Sequence, residues 1–221
     1  MTAQTPPEWF IPLREAVYEQ QLTANEIVPI YREISERART SLYGDEQLIT
    51  LSRCEYMMGR AYLYEERKDE AAARFSEGMI FAERALEIRP SAEAWVMRAE
   101  NLSQSCVVRS VSFVMANGLN VEKWAKNALA IDSRNAAAQF LIAARWVYAP
   151  APFNNYRRGI DMLNAIQYEG RMEKDDMFNV YSSIGYTYMK QRNNVQARVW
   201  FLRSLEIYPT NKYVQSLLAG L

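Results

Sequence analysis

The chain has 221 residues, and its 26 basic and 26 acidic side chains give a formal net charge of zero. This balance argues against a general binder of nucleic acid or of anionic membranes. The sequence contains no histidine, which excludes histidine-activated nucleophiles and histidine metal sites. We therefore expect a protein that is not an enzyme and that holds no cofactor and no metal ion.

No apolar run reaches the roughly 18–20 residues that a membrane-spanning helix needs, so no transmembrane segment is predicted. The opening MTAQTPPEW is typical of the trimmed start of an exported protein, which favours a periplasmic location over a cytoplasmic one, although no secretory signal is present. Cys54 and Cys106 lie far apart on helical patterns and predict two buried thiols in preference to a disulfide.

The first predicted element is a helical hairpin over residues 1–45. Two S/T-x-x-E capping boxes, one at Thr5 and one at Thr23, mark helix starts. Pro12 and Pro29 follow these starts closely, so we expect kinks or later helix starts there.

The next segment, 46–90, contains MGRAYLYEERKDEAAARF at 58–75. Met58, Gly59 and Tyr62 belong to its first predicted helix, and Ala71 and Phe75 belong to its second. The closing ALEIRP comes seven residues later than in a compact hairpin. Seven residues are about two helical turns, so the pattern predicts a long second helix over roughly 69–89.

The third segment, 91–133, opens with an N-cap at Ser91. Its apolar periodicity predicts a first helix that runs to about Ala116, where Asn117-Gly118 would end it in a left-handed cap. WAKNALAIDSRN at 124–135 closes this segment.

The fourth segment, 134–171, contains the irregular stretch YAPAPFNNYRRG at 148–159. Its two prolines are expected to stop one helix, and Asn154 or Asn155 can cap the next. One interpretation is a rigid connector. The other is a loop that closes over a ligand, in which an exposed Phe153 would take part.

The last segment, 178–209, has the most regular pattern, YSSIGYTYMKQRNNVQARVWFLRSLEIYP at 181–209. A glycine inside an otherwise good helix costs about 1 kcal/mol against alanine, so Gly185 needs a packing reason, which a facing Ala197 helix supplies. The segment resembles a tetratricopeptide repeat (TPR), whose signature is W-x2-L-G-x2-Y followed by A-x3-F and a closing proline. The matching residues are Tyr181, Ile184, Gly185, Tyr188, Ala197, Phe201, Ser204 and Pro209.

The TPR resemblance covers about 45–209 and implies an all-α fold: a right-handed superhelical array of antiparallel helix hairpins with about 11 helices. It implies one domain over 1–221, closed by a capping helix at 210–221. The chain resembles more loosely the irregular-TPR periplasmic subunits that are associated with TRAP-type transporters.

The resemblance further implies a concave groove lined by the first helix of each hairpin, which would bind a protein or peptide partner. An alternative is a periplasmic accessory that binds or passes a small organic ligand together with a solute transporter. Self-association is also predicted as an option. Helical phase places these residues in the groove: Arg53, Tyr56, Arg60, Tyr64, Phe140, Tyr148, Asn179, Tyr186 and Lys190.

Arg60 is the most specific groove prediction, because it lies one turn from both Tyr56 and Tyr64. It is expected to face the groove, where it could anchor a carboxylate between two rings. The alternative is an intramolecular ion pair with an acid such as Glu100, which would stabilise the stack and bind nothing.

Overall fold

The computed structural model describes residues 6–169 and 172–221. Within these ranges all regular structure is helical, with a short 3-10 turn at Glu8–Phe10 before eleven α-helices. The predicted all-α class is confirmed. None of these helices is both long and apolar enough to cross a membrane. The helices are α1 (Ile11–Glu19), α2 (Ala24–Ser41), α3 (Gly44–Tyr64), α4 (Lys68–Ile88), α5 (Ala92–Val108), α6 (Val111–Ile131), α7 (Ala136–Tyr148), α8 (Tyr156–Glu169), α9 (Lys174–Lys190), α10 (Asn194–Ile207) and α11 (Lys212–Ala219).

The chain divides into two compact units, one that ends at Ser133 and one that spans Arg134–Leu221. We call them the N-terminal unit, with α1 to α6, and the C-terminal unit, with α7 to α11. In the N-terminal unit, α3 packs on α2, α4 and α5, and α1 also reaches α3. In the C-terminal unit, α9 packs on α7, α8 and α10. The predictions of one domain and of a right-handed superhelix stay predictions.

In each unit, a helix hairpin closes over a glycine that faces a phenylalanine ring. Gly59 of α3 lies against Phe75 of α4, and Gly185 of α9 lies against Phe201 of α10. Both rings are fully buried. A Cβ atom on Gly185 would lie 2.6 Å from the nearest ring carbon of Phe201. Close helix approach, the reason predicted for Gly185, is therefore confirmed, but the residue that faces it is Phe201 and not the predicted Ala197.

The predicted helix end at Asn117-Gly118 is wrong, because α6 runs through both residues. The break lies earlier, at Arg109 and Ser110, where the backbone is extended. The Ser110 hydroxyl caps α6 by accepting a hydrogen bond from the backbone N–H of Phe113. The boundary between α5 and α6 therefore lies at the Ser110 cap, and Asn117-Gly118 lies inside α6.

Several smaller predictions can be compared with the helix bounds. The long second helix at 69–89 is confirmed by α4, and the capping box at Thr23 is present. Pro12 lies at the start of α1, whereas α2 continues through Pro29, so the later start expected there is wrong. Thr5 lies outside the described residues.

The two cysteines and the terminal helix complete this comparison. Cys54 is buried, as predicted, whereas Cys106 is only half-buried, and both are free thiols. The predicted helix over 210–221 is α11, and its Val214 is fully buried. Asn194 of α10 donates to the carbonyl of Leu221, which ties the end of this helix to its neighbour.

The irregular link at 149–155 is held by three hydrogen bonds. The backbone N–H of Phe153 donates to the carbonyl of Pro150 (2.9 Å), and that of Asn155 donates to the carbonyl of Trp146 (2.9 Å). The side-chain oxygen of Asn155 accepts from the backbone N–H of Arg158 (3.0 Å), which caps α8. The connector with an asparagine cap is thus confirmed.

Candidate functional site

In the N-terminal unit, the predicted groove residue Arg60 is enclosed by three tyrosines. Its guanidinium donates to the hydroxyl of Tyr18 (2.5 Å), to that of Tyr56 (3.4 Å) and to that of Tyr64. It also lies over all three rings, nearest to that of Tyr18, with 4.5 Å to the ring centroid. We call these four residues the Arg60 cluster.

Helix α1 contributes Tyr18 to this cluster. Tyr18 is fully buried and Tyr56 is 5% exposed. Burial also raises the pKa of Tyr56, and the carboxylate of Glu100 adds to that shift. Desolvation alone would lower the pKa of Arg60, but the surrounding tyrosine hydroxyls raise it above its usual value. The guanidinium of Arg60 therefore stays charged while it packs against the three tyrosine rings.

The structure shows neither of the two predicted roles of Arg60, the carboxylate anchor or the ion pair with an acid. Its hydrogen bonds go to the hydroxyls of Tyr18 on α1 and of Tyr56 and Tyr64 on α3. Among the residues described, no carboxylate forms an ion pair with Arg60. Arg53, two turns earlier on α3, is half-buried. A binding role for this stripe stays a prediction, and it would require α1 to move away.

A second buried polar group lies next to this stripe, and it was not predicted from sequence. Glu55 is almost fully buried and accepts from the hydroxyl of Tyr31 and from Arg74 (3.2 Å). Burial raises the pKa of Glu55, although Tyr31 and Arg74 both act to lower it. Burial and Glu55 together raise the pKa of Tyr31 to about 12. The three side chains tie α2, α3 and α4 together.

In the C-terminal unit, the predicted residues form an open surface on α7 and α9. The rings of Tyr148 and Tyr186 lie 5.1 Å apart, and the ammonium of Lys190 lies 5.2 Å from the centroid of Tyr186. The Tyr148 hydroxyl shares a hydrogen bond of 2.8 Å with the buried Ser183. Tyr148 is 49% exposed, and Lys190 is also exposed. We call Tyr148, Tyr186 and Lys190 the open aromatic face.

The other two groove residues of this unit are less exposed. Phe140 is partly buried and packs against the apolar core that includes Leu163 and Ile184. Asn179 is half-buried, and its backbone carbonyl accepts from Ser182 (3.2 Å). The structure therefore assigns Phe140 to packing, and it leaves Asn179 at the margin of the surface.

The loop candidates also separate by role. Asn155 is the cap of α8, and Asn154 before it is half-buried. Phe153 is 67% exposed at the tip of the link. This residue therefore retains the exposure that the ligand-contact hypothesis requires.

Sequence reasoning missed an arginine–tryptophan cluster beside this loop. The guanidinium of Arg158 lies 4.1 Å from the ring centroid of Trp146, and that of Arg145 lies 5.1 Å from it. Trp146 was not among the predicted site residues. The sequence did contain a sign of this cluster, because Arg145-Trp146 comes just before the short link and Arg157-Arg158 comes just after it.

No metal centre can be built from the part of the chain that the structure describes, where no three Cys, Asp or Glu residues cluster at ligand distance. The buried carboxylate of Glu55 is already bonded to Tyr31 and Arg74. The exposed surfaces instead present aromatic and cationic side chains, which suit contact with another molecule better than bond-breaking chemistry.

Comparisons with known proteins give limited information. No protein-family model matches the chain, and no curated protein matches it. Among solved structures, the chain is similar to that of YrrB, described as a TPR protein with an unusual peptide-binding site. The two share 14% identity over 96% of this chain and 97% of the other, with a TM-score of 0.41.

Proposed function

We propose that the chain is a non-catalytic helical scaffold that binds a protein or peptide partner through the open aromatic face of its C-terminal unit. The observation that carries this proposal is the half-exposed ring of Tyr148, which packs at a tilt against the ring of Tyr186 with Lys190 beside it. These residues come from two neighbouring first helices, so a ligand that crosses α7 and α9 contacts all three.

The chemistry of this face suits a polypeptide. Tyrosine side chains offer large, rigid contact areas and lose little conformational entropy on binding, so they are enriched where binding energy concentrates. The hydrogen bond between Tyr148 and Ser183 positions the Tyr148 ring before a ligand binds. This reduces the entropy that the side chain loses on binding. Lys190 adds a cation at the edge, which favours a ligand with a carboxylate or a carbonyl oxygen there.

The Arg60 cluster does not support the same role in the N-terminal unit, because Tyr18 of α1 already contacts the guanidinium of Arg60. The alternative of a transport accessory rests on the looser family resemblance and stays a prediction. Self-association also stays a prediction, and light scattering of the purified chain tests it directly.

Selection from a library of random 12-residue peptides against the full chain tests the proposed function. The affinity of selected peptides is then measured by fluorescence anisotropy for wild type and variants. We expect Tyr148→Ala to weaken binding about 10-fold and Lys190→Ala about 3-fold. Tyr213→Ala is the matched control, because Tyr213 is an equally exposed tyrosine of α11 at 47%, and it should leave the affinity unchanged.

Two results would contradict the proposal. One is equal affinity of the selected peptides for wild type and Tyr148→Ala. The other is an equal loss in Tyr213→Ala, which would indicate non-specific contact with exposed rings. Thermal melts of each variant distinguish lost contact from lost folding.

A further inference from the structure

Trp146 and its two arginines form a second exposed surface of the C-terminal unit. Arg158 comes from α8 and Arg145 from α7, and both guanidinium groups lie against the one indole ring. Both arginines are exposed, whereas Trp146 is half-buried. Because the guanidinium of Arg158 lies over the ring at 4.1 Å from its centroid, its N–H edge can still bind an oxyanion.

The surrounding backbone holds this surface in place. The carbonyl of Trp146 accepts from Asn155, and Asn155 in turn caps the turn that carries Arg158. At Gly159 a Cβ atom would lie 2.8 Å from Val147, so the start of α8 approaches α7 closely. The indole and the guanidinium of Arg158 are therefore positioned before any ligand binds, which reduces the cost of ordering them.

The local charge at this surface is positive, although the chain as a whole is neutral. Arg157 is exposed beside Arg158, and neither forms an ion pair with a carboxylate of the described residues. Asp161 lies one turn further along α8 and is also exposed. Phe153, at the tip of the same link, adds an exposed apolar ring.

We propose that this surface, composed of Arg145, Trp146, Phe153, Arg157 and Arg158, binds an acidic polypeptide segment. Carboxylates of the segment pair with the guanidinium groups of Arg157 and Arg158, and an apolar side chain contacts Phe153. A single-stranded nucleic acid is less suited, because base stacking needs an open aromatic face, and guanidinium groups cover the ring of Trp146. The surface shares no residue with the open aromatic face, and it depends on the proposed function only for the ligand class.

Fluorescence anisotropy on the full chain tests this proposal with three labelled probes. They are a 12-residue peptide of Glu-Glu-Leu repeats, the matched Gln-Gln-Leu peptide and a 12-nucleotide oligothymidylate. We expect the Glu-Glu-Leu peptide to bind about 10-fold more tightly than the Gln-Gln-Leu peptide, and its affinity to fall with added salt. The oligothymidylate should bind more weakly than the acidic peptide.

Three variants locate the contact. Arg158→Gln should weaken the acidic peptide about 5-fold or more, and Arg158→Lys should weaken it to a smaller extent because the charge remains without the planar fork. Arg192→Gln removes an equally exposed arginine from the turn between α9 and α10, and it should change the affinity less than about 2-fold.

Equal binding of the two peptides would overturn the proposal, as would equal losses in Arg158→Gln and Arg192→Gln. Tighter binding of oligothymidylate than of the acidic peptide would assign the surface to nucleic acid instead. Tyr148→Ala should leave the acidic peptide unaffected. If Tyr148→Ala leaves the affinity of the selected peptides unchanged, the open aromatic face is rejected but this surface is not. If Arg158→Gln leaves the affinity of the acidic peptide unchanged, this surface is rejected but the open aromatic face is not.

Discussion

Aromatic and basic residues occur together on α3 of the N-terminal unit and on α7 and α9 of the C-terminal unit. They are enclosed in the first case and exposed in the second. In the N-terminal unit the cation Arg60 is enclosed by Tyr18, Tyr56 and Tyr64. In the C-terminal unit the cation Lys190 lies on Tyr186 at the surface, next to the half-exposed Tyr148. The N-terminal stripe is buried in packing contacts, whereas Tyr148 and Lys190 of the C-terminal stripe are exposed.

The difference arises from a segment outside the repeat pattern. Helix α1 supplies Tyr18 to the N-terminal cluster, and the fully or nearly fully buried Phe10, Leu13 and Val17 anchor that helix. A first-helix stripe is therefore a candidate binding surface only where no other part of its own unit covers it. The open aromatic face meets this condition in the C-terminal unit.

The largest expected effect concerns the feature that the two units share. Gly59→Leu and Gly185→Leu should each lower the free energy of unfolding by about 2–4 kcal/mol, because the new side chain overlaps Phe75 or Phe201. Chemical denaturation measures both variants. Similar losses would confirm that the hairpins are built alike and that the units differ only in what covers them.

Gly118→Ala is the matched control for these two variants. Gly118 lies within α6, and a Cβ there would meet only Val114, at 3.6 Å. We expect a gain of up to about 1 kcal/mol from helix propensity. Unchanged stability of Gly185→Leu would contradict the proposed close approach of α9 and α10.

The next prediction separates the enclosed cation from the open one. Arg60→Ala should lower the free energy of unfolding by about 2–3 kcal/mol, because it removes the shared partner of three tyrosines. Lys190→Ala should change it by less than about 0.5 kcal/mol, since Lys190 is exposed. Denaturation of both variants under the same conditions tests this, and equal losses would contradict the division into closed and open stripes.

A smaller effect is expected at Glu55, which lies next to the closed stripe. Because burial raises the pKa of Glu55 in the folded chain, the folded state binds a proton more tightly than the unfolded state does. The contribution of Glu55 to stability is therefore greatest below its unfolded pKa and is lost as pH rises through the raised value. Glu55→Gln should remove this part of the pH dependence.

The measurement is the difference in unfolding free energy between wild type and Glu55→Gln from pH 4 to pH 7. Wild type should gain stability relative to the variant as pH falls. A gain in the opposite direction would mean that the ion pair with Arg74 outweighs the burial of Glu55.

The local spacing in the sequence was enough to predict the hairpins. Close helix approach at Gly185 could be predicted, because a glycine inside a good helix requires a packing reason, although the contact with Phe201 instead of Ala197 came from the structure. The cap at Asn155 could also be predicted, since an asparagine between a proline and a helix has few other roles. These features depend on residues that are near each other in sequence.

Features that depend on distant segments could not be predicted. Helical phase carried no information about Tyr18, 42 residues earlier, whose hydroxyl accepts a hydrogen bond from Arg60. The stacking of Arg158 on Trp146 depends on how the link folds back. The break at Ser110 was missed because the Asn117-Gly118 pair is a strong local signal that the helix overrides.

The most direct test of the division into closed and open stripes is hydroxyl-radical footprinting of the full chain with mass spectrometry. The account predicts rapid modification of Tyr148, and strong protection of Tyr18 and Tyr56, which are 0% and 5% exposed. Modification of Tyr18 and Tyr56 as fast as that of Tyr148 would contradict it, because α1 would then not close the stripe of the N-terminal unit.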